Sequence, residues 1–176
     1  MNGNLKKLGS LFLLLVSCGM TYGAPNTEAL LLKEIFPGAS RNIRKTIFLT
    51  LEQQHALKAL EPGRTPVKLF SYREIVQRET LLGYATTVKA EGKSGSFRVL
   101  IVVQPDFTVK RVAILDYPFA YGQGVKNNMF LSQFAGLKFP GLFFGDTLHA
   151  VTGATSSSAG VLLAVENALI CLGQPL

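Results

Sequence analysis

Residues 82–115, LGYATTVKAEGKSGSFRVLIVVQPDFTVKRVAIL, decide the fold. Leu82, Tyr84, Thr86 and Val88 alternate with Gly83, Ala85, Thr87 and Lys89, the period of two that sends successive side chains to opposite faces of a sheet. Glu91-Gly92-Lys93-Ser94-Gly95 supplies a turn, residues 97–103 form a rich apolar strand, Pro105-Asp106 turns the chain again, and residues 109–115 return as a third strand. Turns this short join antiparallel neighbours, because a parallel pair needs a crossover of a dozen or more residues. The stretch therefore reads as an antiparallel meander.

On either side the apolar period lengthens to that of helices. Residues 29–36 form a short apolar helical stretch ended by Pro37-Gly38. Thr50-Leu51-Glu52-Gln53 reads as a capping box, with Thr50 as N-cap and Gln53 reaching back. It opens a helix to about Leu60, where Glu61-Pro62-Gly63 stops it, and from Val67 the period changes to two. Beyond the strands, Tyr117-Pro118-Phe119-Ala120-Tyr121-Gly122-Gln123-Gly124 is a loop crowded with aromatics. Residues 127–135 resume helical character, with Phe130 and Phe134 one turn apart, and Gly136 closes that helix. Residues 159–172 form the last helix, with Val161, Val165, Ala168 and Leu172 along one face. The pattern predicts an α+β domain: a twisted antiparallel sheet with helices packed on one face. No Gly-rich loop follows a strand in a βαβ unit, so a Rossmann dinucleotide site is not expected.

Length and charge narrow the class. The 176 residues suffice for one sizeable core. Residues 1–23 read as a signal sequence, with Lys6 and Lys7 before the apolar run 8–16, which is too short to span a bilayer. Two cleavage readings stand. Leu15-Val16-Ser17-Cys18 fits a lipobox that would leave a lipid anchor on Cys18, and Thr21-Tyr22-Gly23 before Ala24 fits ordinary cleavage. The expected domain is residues 24–176, outside the cytoplasm, in the periplasm or on the outer face of the cytoplasmic membrane. Losing Lys6 and Lys7 lowers the formal charge from +7 to +5. The remaining cations are scattered and form no block with interleaved aromatics, which argues against nucleic acid. Cys171 is left without a disulfide partner, as a small buried hydrophobe. His55 and His149 have no ligands at metal spacing, and no Ser-His-Asp, Cys-His or paired-carboxylate arrangement supports hydrolysis. No catalytic or metal-binding residue is expected.

Chemistry gathers instead in Ala150-Val151-Thr152-Gly153-Ala154-Thr155-Ser156-Ser157-Ser158. Hydroxyls and a flexible Gly-Ala step just before an apolar helix offer a helix N-terminus to an anion such as phosphate. The plainer reading is that Thr155 or a neighbouring Ser caps the helix.

TGATSSS resembles the S/T-G-A-T-x-S/T signature of FMN-binding domains, found in the C subunit of the sodium-pumping NADH:quinone reductase, in the Rnf complex and in small exported flavoproteins. KEIFPGA (33–39), LTLEQ (49–53), LGYA (82–85) and FLSQFAG (130–136) are similar to the exported single-domain members. The resemblance implies FMN covalently held by a phosphoester to Thr155, formed from FAD by a flavin transferase. It implies cofactor contacts from Thr152, Gly153, Ala154 and Ser156, with Ser157 beside them, and from Tyr121, Gly122 and Gly124 in the aromatic loop. Tyr117, Phe119 and Tyr121 are candidates to stack on the flavin ring. Two departures from the family pattern stand out: the loop 117–124 has no Glu, and His149 occupies a position that is often acidic, with Asp146 the nearest carboxylate. The function implied is an extracytoplasmic electron carrier with a membrane or periplasmic redox partner, rather than a stand-alone enzyme. A flavin-free binding or assembly protein of the same fold and a small-acceptor reductase are the alternatives.

Overall fold

The structure, a computed structural model, describes residues 27–65, 67–140, 142, 144–145 and 147–173. The expected signal sequence, Cys18 and Asp146 lie outside the described residues. In chain order the elements are α1 (Thr27–Ile35), β1 (Arg41–Phe48), α2 (Leu51–Leu60), β2 (Leu69–Gln77), β3 (Thr80–Gly92), β4 (Gly95–Val103) and β5 (Val109–Asp116). A 3-10 turn (Gln123–Lys126), α3 (Asn128–Ser132) and α4 (Thr155–Cys171) complete the fold. The five strands form one antiparallel sheet in the order β1-β2-β3-β4-β5. The meander read from residues 82–115 is its β3-β4-β5 core.

α4 is the spine of the main core. Its Val161, Val165 and Ala168 pack with Phe97, Val99, Ile101 and Val103 of β4, all buried. α2 lies alongside, opened by the expected capping box: Thr50 Oγ1 accepts from the Gln53 N–H, and the Gln53 side chain accepts from the Thr50 N–H. The Gln53 amide also donates to the carbonyls of Ile170 (2.8 Å) and Cys171 (3.3 Å), so one residue closes the start of α2 and the end of α4. Cys171 is buried, and desolvation pushes its thiol up to about 12.

Four expectations need correction. Helices cover both faces of the sheet: Leu32 and Phe36, from α1 and the residue that follows it, pack on Ile75, Ala85, Leu100 and Val102. The cue was in β4, whose run Val99-Leu100-Ile101-Val102-Val103 is apolar at every position, as strands buried on both faces are. Strand β1 was not expected. It is an edge strand, largely exposed, with too few apolar positions to register as alternation. α3 ends at Ser132, short of Ala135, and Gly136 (φ +84°) follows in a turn. α4 begins at Thr155 rather than Ala159, because the hydroxyl residues there are helical.

A candidate anion and cofactor site at the start of α4

Gly153, in the left-handed region at φ +76°, turns the chain into α4, and Ala154 is the N-cap. No side chain caps this helix. The reading of Thr155 or a neighbouring Ser as the cap therefore fails. Ser158, fully buried, accepts from the Val151 N–H and donates to the Ala154 carbonyl, both at 3.1 Å, which fixes the turn from inside. Ser157 is buried too. Its hydroxyl lies 2.9 Å from the Tyr117 hydroxyl, which donates to the Tyr121 carbonyl at 2.8 Å. Since a phenol has one proton, Ser157 is the donor in its pair with Tyr117. Thr155 and Ser156 are left exposed at the first turn.

The same hydrogen bonds bring the aromatic loop to the helix. Gly122 (φ +80°) sits where a Cβ would strike the Tyr117 and Ser157 hydroxyls. A Cβ at Gly92 would come within 2.6 Å of Ser157 Oγ, so the β3-β4 turn also closes on α4. The result is a cavity of about 250 Å³ lined by Gly153, Ala154, Thr155, Ser156 and Ser157 from α4, Tyr117, Tyr121 and Gly122 from the loop, and Lys93 and Ser94 from the turn. A second cavity, of about 360 Å³, meets it at Ser156 and runs along α4 past Gly160 to Leu163 and Asn167, with Arg64 and Lys89 on its other side.

The structure thus gathers six of the eight expected site residues: Thr155, Gly153, Ala154, Ser156, Tyr121 and Gly122. Thr152 and Gly124 do not line the cavity; a Cβ on Gly124 would come within 2.7 Å of Val151, which gives that glycine a packing reason. Of the three aromatic candidates, Tyr117 packs edge-on against Phe97 and Phe119, with ring centroids at 4.9 and 5.5 Å, and plugs the end of the sheet. Tyr121, 83% exposed, is part of the cavity lining, and its ring is free of the aromatic packing that holds Tyr117 among the described residues. His149 is exposed, and its backbone is held by the Gln133 side chain. Lys93 and Ser94 were missed as site residues, having been read only as part of a turn.

The arrangement suits a phosphate. An uncapped helix start presents N–H donors and the positive end of the helix dipole, Lys93 adds a full charge, and the space around Gly153 is open. Residues 92–170, from the β3-β4 turn to the last turn of α4, match the family of the FMN-binding domain. That stretch of the chain is similar to the FMN-binding domain. Among solved structures, the crystal structure of Shewanella oneidensis NqrC shares the fold, with a TM-score of 0.53 and 19% identity over 76% of this chain and 80% of that one. No curated protein matches the chain. The FMN-binding domain match includes every residue lining the 250 Å³ cavity. No helix among the described residues is long and apolar enough to cross a membrane.

Proposed function

We propose that this protein is an extracytoplasmic electron-transfer flavoprotein with FMN joined through its phosphate to the Thr155 hydroxyl. One observation carries the reading: Thr155 is an exposed hydroxyl in the first turn of an uncapped helix, inside a cavity that also holds a lysine. When bound, FMN supplies the electron exchange. The chain's residues hold it. Thr155 Oγ1 provides the ester oxygen, and the N–H groups at the start of α4 together with Lys93 balance the single charge a phosphodiester keeps. Gly153 and Ala154 keep the hydroxyl accessible, Ser156 stands where the two cavities meet, and the Tyr121 ring offers an apolar face. The Ser157–Tyr117–Tyr121 hydrogen bonds fix the loop against the helix.

The same reading includes export directed by residues 1–23, release at Ala24 or lipidation at Cys18, and a domain over residues 24–176. Its partners are a flavin transferase for maturation and a redox protein of the membrane or periplasm. The resemblance to flavin-carrying C subunits and the FMN-binding domain match support it.

Intact mass of the protein matured with a flavin transferase and FAD tests the proposal. One FMN adduct is expected, mapped by peptide mass spectrometry to Thr155 and absent from Thr155→Ala. An adduct on another residue overturns the linkage. Unmodified wild type, despite an active transferase, supports the flavin-free alternative, in which His149 replaces a carboxylate the transferase needs. Lipid labelling of wild type and Cys18→Ser decides between the two cleavage readings.

A further inference from the structure

α1 covers only part of the second sheet face. The uncovered part, near the β1 edge, has an unusual composition. Cross-strand partners there are like-charged: Arg44 stands opposite Arg73 on β1 and β2, and Lys89 opposite Arg98 on β3 and β4. Like charges directly opposite each other destabilise a sheet. The two pairs border one cavity of about 330 Å³, whose described lining includes a single carboxylate, Glu28 of α1, paired with both Arg73 and Arg98. Asp116, opposite Arg98 on β5, is a second acidic neighbour, and the cations still outnumber the carboxylates. The remaining polar groups, Ser71, Tyr72, Thr86 and Thr87, are hydroxyls.

The same face turns apolar at its outer corner. Along β1 and β2 the in-register pairs run Arg44↔Arg73, Thr46↔Ser71, Phe48↔Leu69. The Thr46–Ser71 hydroxyl contact at 2.8 Å shows that these side chains share one side. Phe48 is 82% exposed and Leu69 51%. Leu51 and Val67, adjoining them in the chain, are also exposed. A cationic sheet face ending in exposed Phe and Leu matches the chemistry of an acidic lipid surface: phosphates for the guanidinium groups, acyl chains for the corner.

We infer that this open half-face, with Arg44, Arg73, Lys89 and Arg98 as its charges and Phe48 and Leu69 as its apolar wedge, docks on a membrane of anionic phospholipid. The inference is independent of the flavin proposal. It concerns the sheet face that α1 partly covers, with Lys89 at the edge this face shares with the cavity along α4.

Co-sedimentation of the full chain with vesicles tests it, comparing phosphatidylcholine alone with phosphatidylcholine containing phosphatidylglycerol. The difference between the two compositions isolates the charged face from any apolar contribution common to both. Partitioning should favour the anionic vesicles and fall with added salt. Arg44→Glu/Lys89→Glu should lower anionic binding about ten-fold or more and leave binding to neutral vesicles unchanged. This variant relieves both like-charge pairs, so it should melt no lower than wild type. Phe48→Ser should weaken binding to the anionic vesicles, and Lys126→Glu, a reversal of one charge elsewhere where the double variant reverses two, should leave it near wild type. Equal binding to both compositions, a double variant that binds as wild type, or an equal loss in Lys126→Glu overturns the inference. Displacement by inorganic phosphate at constant ionic strength, with no dependence on Phe48, also overturns it, in favour of a discrete anion site. Binding to neither vesicle overturns it too and leaves the face to an acidic protein.

Discussion

At the start of α2, Thr50 and Gln53 exchange two hydrogen bonds of 3.2 and 2.9 Å, and the helix caps itself. At the start of α4 four consecutive hydroxyls, Thr155 to Ser158, cap nothing. Two of them are committed elsewhere, Ser157 to Tyr117 and Ser158 to the turn it stabilises, while Thr155 and Ser156 face outward. Hydroxyl content therefore does not decide whether a helix is capped. The residue at the N-cap does, and here it is Ala154, with no oxygen to offer. A helix lacking its own cap is stable when other contacts hold it, and α4 has the central core to do so. α2, at the periphery, relies on its box.

The sharpest way to break this comparison is to remove the support under α4. Val165→Asp places an unpaired charge at a fully buried position and should cost about 4 kcal/mol or more, unfolding the domain. Asp at the exposed Ala59 of α2 should change stability by no more than about 0.5 kcal/mol. Circular dichroism melts of both variants check the contrast; a native-like melt for Val165→Asp would mean α4 is not the spine.

Thr155→Ala comes next. It should remove the whole flavin adduct yet melt within about 2 °C of wild type, because no cap is lost and Ala suits a first helical turn. A large drop in melting temperature would show a structural role for this hydroxyl.

Glu166 sharpens the comparison from within α4. Burial raises its carboxyl from the ordinary 4.5 to about 7. The folded chain thus holds a proton that the unfolded chain has released between those values. Stability from this group is fullest below about pH 4.5, falls as pH rises to about 7, and is level above. Glu166→Gln should flatten that part of the profile and add about 1–2 kcal/mol at pH 8, a reduced figure because water still reaches this carboxylate. Urea titrations at pH 5 and pH 8 measure it. A variant with an unchanged pH slope would remove Glu166 as the cause.

The smallest effect belongs to α2. Thr50→Ala should cost about 1 kcal/mol, roughly 3 °C in melting temperature, with the flavin adduct intact. Together with Thr155→Ala it forms a crossed pair, one changing stability alone and the other modification alone.

What could be read in the sequence followed from local chemistry. The capping box at Thr50, the turns at Gly92-Lys93-Ser94 and Pro105-Asp106 and the alternation from Leu82 are written in neighbouring residues, and so was the meander. β1 escaped because an edge strand exposing Arg41, Arg44 and Lys45 buries too little to show a period. The second face escaped because the pattern of α1 alone does not say which side of a sheet it covers. At the site, the TGATSSS run and the aromatic loop were visible as motifs, but Lys93 was not. A hairpin turn becomes a site residue only when a helix some sixty residues later in sequence closes on it, and no local pattern encodes that meeting.

The glycine at position 160 has a consequence of its own. A Cβ there would collide with the carbonyl of Glu91, so α4 lies against β3 with no room for any side chain between them. That contact, with the close approach at Gly92, joins the last helix to a hairpin made much earlier in the chain. The cavity takes its walls from residues near 93, near 120 and near 155, and it comes into being only when the C-terminal helix docks. An isolated peptide of residues 150–158 has the hydroxyls but neither Lys93 nor the Tyr117 loop. Any reaction at Thr155 that depends on this cavity is therefore a receipt for finished folding: it marks molecules whose last helix has reached the mid-chain hairpin, and passes over those still in transit.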